Sequence, residues 1–201
     1  MGRYWIFIIL ILLSVSFYCE AQKDDDFPEF IYQNKLYKTG SSWFTIGSGV
    51  GYFPLFNSKQ KNFSIDLNSR IKKHYFTLGF HYDGDEFIIK RSGQRYFEFH
   101  AGYGWRSENL KRNIYAYVGP SYALGYVFNH TKKVITSSSV YETKYYTAFN
   151  VPGLYGELQY VQKIFYDLGV GAGFYASVNK HYQVVGARVF LYFSTAYIAK
   201  L

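Results

Sequence analysis

From Trp43 almost to its last residue, the chain alternates apolar with small or polar residues at a period of two. In Asn62–Ile71 one face reads Phe63, Ile65, Leu67 and Ile71, and the other reads Asn62, Ser64, Asp66, Asn68 and Arg70. Successive side chains of a strand point to opposite sides, so strict alternation marks strands whose two faces meet different surroundings. The pattern recurs over Trp43–Phe53, Asn62–Ile71, residues 74–82, Arg95–Arg106, Asn113–Phe128, a segment reaching Val161, Tyr166–Val178 and Val185–Phe193. Eight such segments in a chain of 201 residues predict one all-β domain, an antiparallel up-and-down barrel. Connections with the same parity are short (Lys72-Lys73, Ser107–Lys111, Gln162-Lys163), whereas two of the others, Asp83–Gln94 and Asn129–Lys144, are long. Tight turns at one end and longer loops at the other are the layout of a transmembrane barrel. Pro152-Gly153 predicts a bulge in the sixth strand.

Alternation does not say which face is inside. A soluble eight-stranded barrel turns its apolar face inward around a ligand; a membrane barrel turns it outward to lipid. The composition of the other face decides. It carries Gly47, Gly49, Gly51, Gly79, Gly171, Gly173 and Gly186, which would leave an exposed strand weak but make room for bulky neighbours in a narrow lumen. It also carries charges of both signs. Aromatics near strand ends (Phe44, Tyr52, Trp105, Tyr126, Tyr160) suit interfacial girdles. The apolar face is therefore expected to meet lipid.

The N-terminus supports export. Arg3 is followed by an apolar run from Tyr4 to Leu13 and by Cys19-Glu20-Ala21, which predicts a signal peptide over residues 1–21 with cleavage after Ala21. A rival reading lipidates Cys19 ahead of Lys23–Asp26; Ser16-Phe17-Tyr18, bulky just before the cysteine, argues against it. Residues 22–41 are read as an N-terminal periplasmic segment and 42–201 as the barrel, both termini being periplasmic. No apolar run reaches the roughly 18 residues that a spanning helix needs. The formal charge is +8, with Lys59, Lys61, Lys72, Lys73, Lys111, Arg112, Lys132 and Lys133 at turns and loops. That placement fits lipid headgroups or lipopolysaccharide as partners, and no nucleic-acid motif accompanies it.

Tyr115-Ala-Tyr-Val-Gly-Pro-Ser-Tyr-Ala-Leu-Gly-Tyr126 and Asp167-Leu-Gly-Val-Gly-Ala-Gly-Phe174, within the pattern from Trp43 to Phe193, resemble strands of the small eight-stranded bacterial outer-membrane barrels of the OmpA/OmpX type, notably the aromatic-rich ones of Bacteroidota. In size and layout the chain is also similar to the TraO-like barrels of conjugal transfer. The resemblance implies an outer-membrane location and a non-catalytic structural, adhesion or envelope-accessory role. One departure is the ending Tyr197-Ile-Ala-Lys-Leu201, where such barrels close on an aromatic residue.

Two groups of residues stand out. Asp66, Arg70, Glu98, His100, Arg106, Glu157, Asp167 and Arg188 share the inner face and are expected to pair as an ion network that holds the lumen shut, because an unpaired buried ion is costly. The functional alternative is a narrow pore, or a proton-sensitive gate at His100 beside Glu98. Strands five and six exceed the nine to eleven residues that cross a bilayer, so Val134, Ile135, Val140 and Tyr141 are expected in a projecting hairpin that could take an envelope partner by strand addition. A lipid-modifying enzyme would need a nucleophile and base, for which Ser177 with His181 or Ser121 with His100 are the candidates; no nucleophile-elbow motif surrounds them. Five scattered histidines give no metal-ligand spacing, and no cofactor motif is present.

Overall fold

The computed structural model describes residues 28–84, 94–136 and 139–200, with side chains at all of these except 56 and 133–144. The proposed signal peptide, Cys19 and residues 85–93 of the long Asp83–Gln94 connection lie outside the described residues. Eleven strands follow in order: β1 (Glu29–Tyr32), β2 (Lys35–Lys38), β3 (Trp43–Phe53), β4 (Ser58–Ile71), β5 (His74–Gly84), β6 (Arg95–Glu108), β7 (Arg112–Thr136), β8 (Ser139–Lys163), β9 (Leu168–Asn179), β10 (Gln183–Ser194) and β11 (Tyr197–Lys200). Strands β3 to β10 pair antiparallel with their sequence neighbours, and β10 returns to β3 through Trp43↔Ser194 to Tyr52↔Val185, closing an eight-stranded barrel. The expected fold class is therefore the observed one.

Orientation of the faces follows the alternation. Adjacent positions of β10 split cleanly: Arg188 is 2% exposed and Val189 is 68% exposed. Across the register, Ile65, Leu67, Leu78, Val118, Leu158, Val170, Phe174 and Leu191 all stay on the outer surface, while Asp66, Asn68, Thr77, Glu157 and Gln159 are buried. The outer aromatics form two girdles. Phe44, Trp105 and Tyr160 lie toward the short-turn end, and Tyr52 and Tyr126 toward the other. An apolar exterior of this extent is tolerable only against lipid.

Glycine on the inner face admits bulk where the lumen is tightest. A Cβ at Gly79 would collide with His100 and Asp66, and one at Gly186 would enter the ring of Tyr175. The space so freed holds tyrosine rather than aliphatic residues: Tyr96, Tyr115, Tyr117, Tyr155, Tyr175, Tyr182 and Tyr192 are all buried. Composition showed the aromatic excess but not that so much of it points inward.

Prolines sit where the ladder has no use for their missing N–H. Pairing of β6 with β7 runs Tyr103↔Val118 and His100↔Ser121 with a gap around Pro120. Pro152 pairs with Tyr122 of β7 in unbroken register, just beyond Gly153, where the β9 neighbour begins. The bulge expected at Pro152-Gly153 is thus absent there; the β7–β8 register shifts between Phe128 and His130 instead. That is where β7 leaves the barrel, since its pairing with β6 ends at Tyr126. Bulges add twist at barrel rims, which re-aims the departing hairpin.

At the short-turn end, β1, β2 and β11 make a separate three-stranded sheet. The β1–β2 turn places Gln33 and Asn34 at φ 51° and 58°, the left-handed pair of a tight hairpin. Without glycine at either position, the turn carried no strong sequence signal, and residues 22–41 were expected only as a lead-in segment. This sheet packs on the β8–β9 turn through Tyr166, whose ring meets Phe30 edge-on at 4.7 Å and Tyr37 at 5.2 Å. Tyr166 was expected on the lipid face of a strand; it lies before β9 begins and is buried under the small sheet.

Candidate functional site

Two features have the specificity of a site: the polar stack in the lumen, and the hairpin that continues β7 and β8 beyond it. The lumen residues come from strands that are distant in sequence, and barrel closure brings them to one axis.

The middle tier centres on Arg188 of β10. Its Nη2 donates to Asp66 Oδ2 of β4 at 2.5 Å and also pairs with Glu157 of β8, while Nε donates to Glu157 Oε1 at 2.7 Å. His100 of β6 lies 3.1 Å from Asp66 Oδ1 through Nε2, and Thr45 Oγ1 donates to Asp66 Oδ2 at 3.2 Å. Tyr117 and Tyr155 donate to Glu157 Oε2 at 2.8 and 3.2 Å. The rings of Tyr155 and His100 stack at 4.0 Å with 7° between planes. One guanidinium therefore ties three walls of the barrel together, and both carboxylates are satisfied by several donors, which is the condition for burying such charge.

A second tier lies toward the long-loop end. Asp83 pairs with His81 and accepts hydrogen bonds from Tyr96 at 2.6 Å and Tyr175 at 3.1 Å. Glu98 accepts from Ser177 Oγ at 2.6 Å. The third tier closes the short-turn end: Arg106 meets Glu108 at 2.8 Å and Tyr192 Oη at 2.9 Å, lies 3.9 Å above the Trp43 ring, and shares Glu108 with Lys163.

Six of the eight expected network residues fall into these tiers, but not as a single cluster. His100 engages Asp66, not Glu98, so the imagined His100–Glu98 gate does not form. Arg70 and Asp167 belong elsewhere. Arg70 is one residue from the end of β4 and donates through Nε to Lys72 O in the turn at 2.6 Å. Asp167 precedes β9 and receives the Ser194 amide on its backbone oxygen at 2.8 Å. Residues so close to a turn have left the lumen, although their parity places them on its face. His81 shares the inner face with His100 in the sequence pattern and does pair there, with Asp83. Asp83, Glu108 and Lys163 were the omissions, because all three were read as turn or loop residues.

The enzyme candidates do not assemble. The Ser177 hydroxyl is used by Glu98, and His181 is in the exposed turn beside Phe149. Ser121 and His100 are cross-strand neighbours, yet Ser121 Oγ and His100 Nδ1 are each without a partner among the described residues. The described residues contain no group of three potential metal ligands.

Beyond the barrel, β7 and β8 continue as a two-stranded ribbon from about Val127 to Thr136 and Ser139 to Pro152, in which Val134 pairs with Tyr141 and Ile135 with Val140. The β6 partner of β7 ends at Tyr126 and the β9 partner of β8 ends at Gly153, so the outer edges of the ribbon are unpaired among the described residues. His130 stacks on Tyr145 at 4.9 Å, and Asn129 Nδ2 donates to Thr147 Oγ1 at 3.1 Å, cross-strand contacts that stiffen its base.

No protein-family model and no curated protein sequence matches the chain. Among solved structures, the fold is similar to Neisserial surface protein A, at 11% identity and a TM-score of 0.54, covering 78% of this chain and 97% of that one. It is also similar to Ail, the attachment invasion locus protein of Yersinia pestis, at 13% identity and a TM-score of 0.50, covering 79% and 97%. These likenesses establish the fold of a small eight-stranded outer-membrane barrel.

Proposed function

We propose that the chain is an integral outer-membrane β-barrel, closed to solutes and non-catalytic, that serves a structural, adhesion or accessory role in the cell envelope. The observation that carries closure is the middle tier, where Arg188, Asp66, Glu157 and the stacked His100–Tyr155 pair occupy the lumen from wall to wall. Eight strands leave an interior just wide enough for side chains. In planar bilayers the purified barrel is expected to give no discrete conductance steps; steps of constant size would establish a pore and overturn closure.

Orientation follows from loop asymmetry. The short turns and both described chain ends share one end of the barrel, which this reading assigns to the periplasm, with export directed by residues 1–21. The opposite end then faces outward. Its rim exposes Lys59, Lys61, Lys132 and Lys180, suited to the phosphates of lipopolysaccharide, each worth about 1 kcal/mol near an anionic surface.

The ribbon is the contact element of this reading. Its unpaired edges offer backbone donors and acceptors to an added strand. Removal of residues 131–142 is expected to leave barrel folding unchanged, because pairing to β6 and β9 ends below that segment. Recovery of envelope partners by mild-detergent pull-down is expected to drop. Undiminished recovery with an intact barrel would move the contact to another loop.

A further inference from the structure

Five lumen side chains around the middle and third tiers hold N–H groups without a partner among the described residues: Trp43 Nε1, Asn68 Nδ2, Asn113 Nδ2, Gln159 Nε2 and Arg188 Nη1. All five residues are at most 2% exposed. A buried donor left unpaired costs about 1–3 kcal/mol, so a set of this size calls for a shared acceptor. We propose that the lumen between these two tiers binds one small monovalent anion of the halide class through these groups.

The donors come from five strands and are grouped about one ring, that of Tyr115. Trp43 meets it edge-on at 5.0 Å. Thr77 Oγ1 lies 2.7 Å from Tyr115 Oη and donates to Asn68 Oδ1 at 2.7 Å. Gln159 faces Tyr115 across the β7–β8 register, and Asn113 precedes Tyr115 by two residues on the same face of β7. Arg188 is in register with Gly173, and Gly173 with Gln159, so the strand between guanidinium and amide carries no side chain at that level. Asn68 and Asn113 spend their carbonyl oxygens on Thr77 and, at 3.0 Å, on Arg106 Nε, which leaves their NH2 groups to donate. An indole N–H and a guanidinium can only donate.

The donor-to-acceptor balance favours an anion over water. Water accepts from such groups but has two protons of its own to place, and Gln159 Oε1 is the one unpartnered acceptor that these five residues offer. Toward the long loops the balance is reversed: the unpartnered atoms there include Glu98 Oε2, Asn62 Oδ1 and Ser121 Oγ, which water can serve. Charge points the same way. The third tier sets Arg106 and Lys163 against the carboxylate of Glu108, one positive charge in excess. Arg106 lies 3.9 Å above the Trp43 ring and holds Asn113, so two of the five donors adjoin that excess. The middle tier, with two carboxylates on Arg188, confines the ion to the Arg106 side. The buried rings of Trp43, Tyr115 and Tyr192 pack around this space, which suits a single-atom ion better than a polyatomic one.

The full-length protein is refolded in detergent with sodium bromide or with sodium gluconate at matched ionic strength, so that burial does not limit entry. The urea midpoint is read by near-ultraviolet circular dichroism, and crystals grown in bromide are measured for anomalous scattering. The midpoint is expected to rise with bromide and not with gluconate, and one anomalous peak is expected beside Trp43, Asn113 and Gln159. Gln159→Met and Trp43→Phe are expected to raise the half-saturating bromide concentration at least fivefold, with Ser121→Ala unchanged. The Gln159 side chain makes no hydrogen bond among the described residues, so its variant keeps the test open if Trp43→Phe misfolds. With no ion in place, Gln159→Met would only remove an unpaired buried amide and raise the midpoint equally in both salts; that result overturns the proposal. So does a bromide effect undiminished in both variants, an unmoved midpoint in the unaltered protein, or a lumen without anomalous signal.

Discussion

Arg188→Met is expected to lower barrel stability by about 3–5 kcal/mol, the cost of removing one partner from a buried ion pair. The methionine fills most of the volume, so packing loss is small and the effect is electrostatic. Asp66 and Glu157, both buried, are left facing one another across the lumen, with only His100, Thr45 and the tyrosine hydroxyls to hold them. The measurement is the urea midpoint of the barrel folded in vesicles, followed by gel mobility. The control is the triple variant Arg188→Met, Asp66→Asn, Glu157→Gln, in which no uncompensated charge remains; it is expected to recover most of the loss. A single variant as stable as the parent protein would mean that the cluster does not brace the walls.

The neighbouring position tests the other face. Val189→Lys is expected to cost about 2–4 kcal/mol in a bilayer, because the charge is placed on the lipid side near mid-strand. Val189 is 68% exposed. On a water-soluble barrel, a lysine at so open a site would change stability by less than about 0.5 kcal/mol. Folding yield into vesicles against urea distinguishes the two, and a neutral outcome would return the chain to the soluble class. Adjacent residues with two different penalties, one from lost pairing and one from lost lipid contact, express the same alternation.

Much of this was legible beforehand, and the reasons are local. Trp43–Phe53 was bounded to the residue because its alternation is ended by Pro54 and a turn, both sequence-local events. The identity of the lumen face was legible because glycine and charge of both signs coincide on one parity. The small sheet was not, because β1 and β2 are four residues each, too short for periodicity, and their turn lacks glycine. The hairpin was legible as excess strand length, but the hydroxyl-rich residues 129–144 concealed that the strands continue without interruption.

Parity is a property of one strand, and the sequence by itself determined it: which side chains share a face, how many strands the barrel has, and which of its ends carries the long loops. Partnership is a property of closure. Asp66 meets Arg188 across 122 positions of chain and Arg188 meets Glu157 across 31, and only the shear and register of the closed barrel decide that these three share a level while Glu98 falls beside Ser177. The same holds at the rim, where Lys38 and Arg70 line one pocket only because β11 draws the N-terminal hairpin against the end of the barrel. Alternation records the surroundings of each face, but the height of a residue along the barrel axis depends on strand stagger, which no single strand encodes.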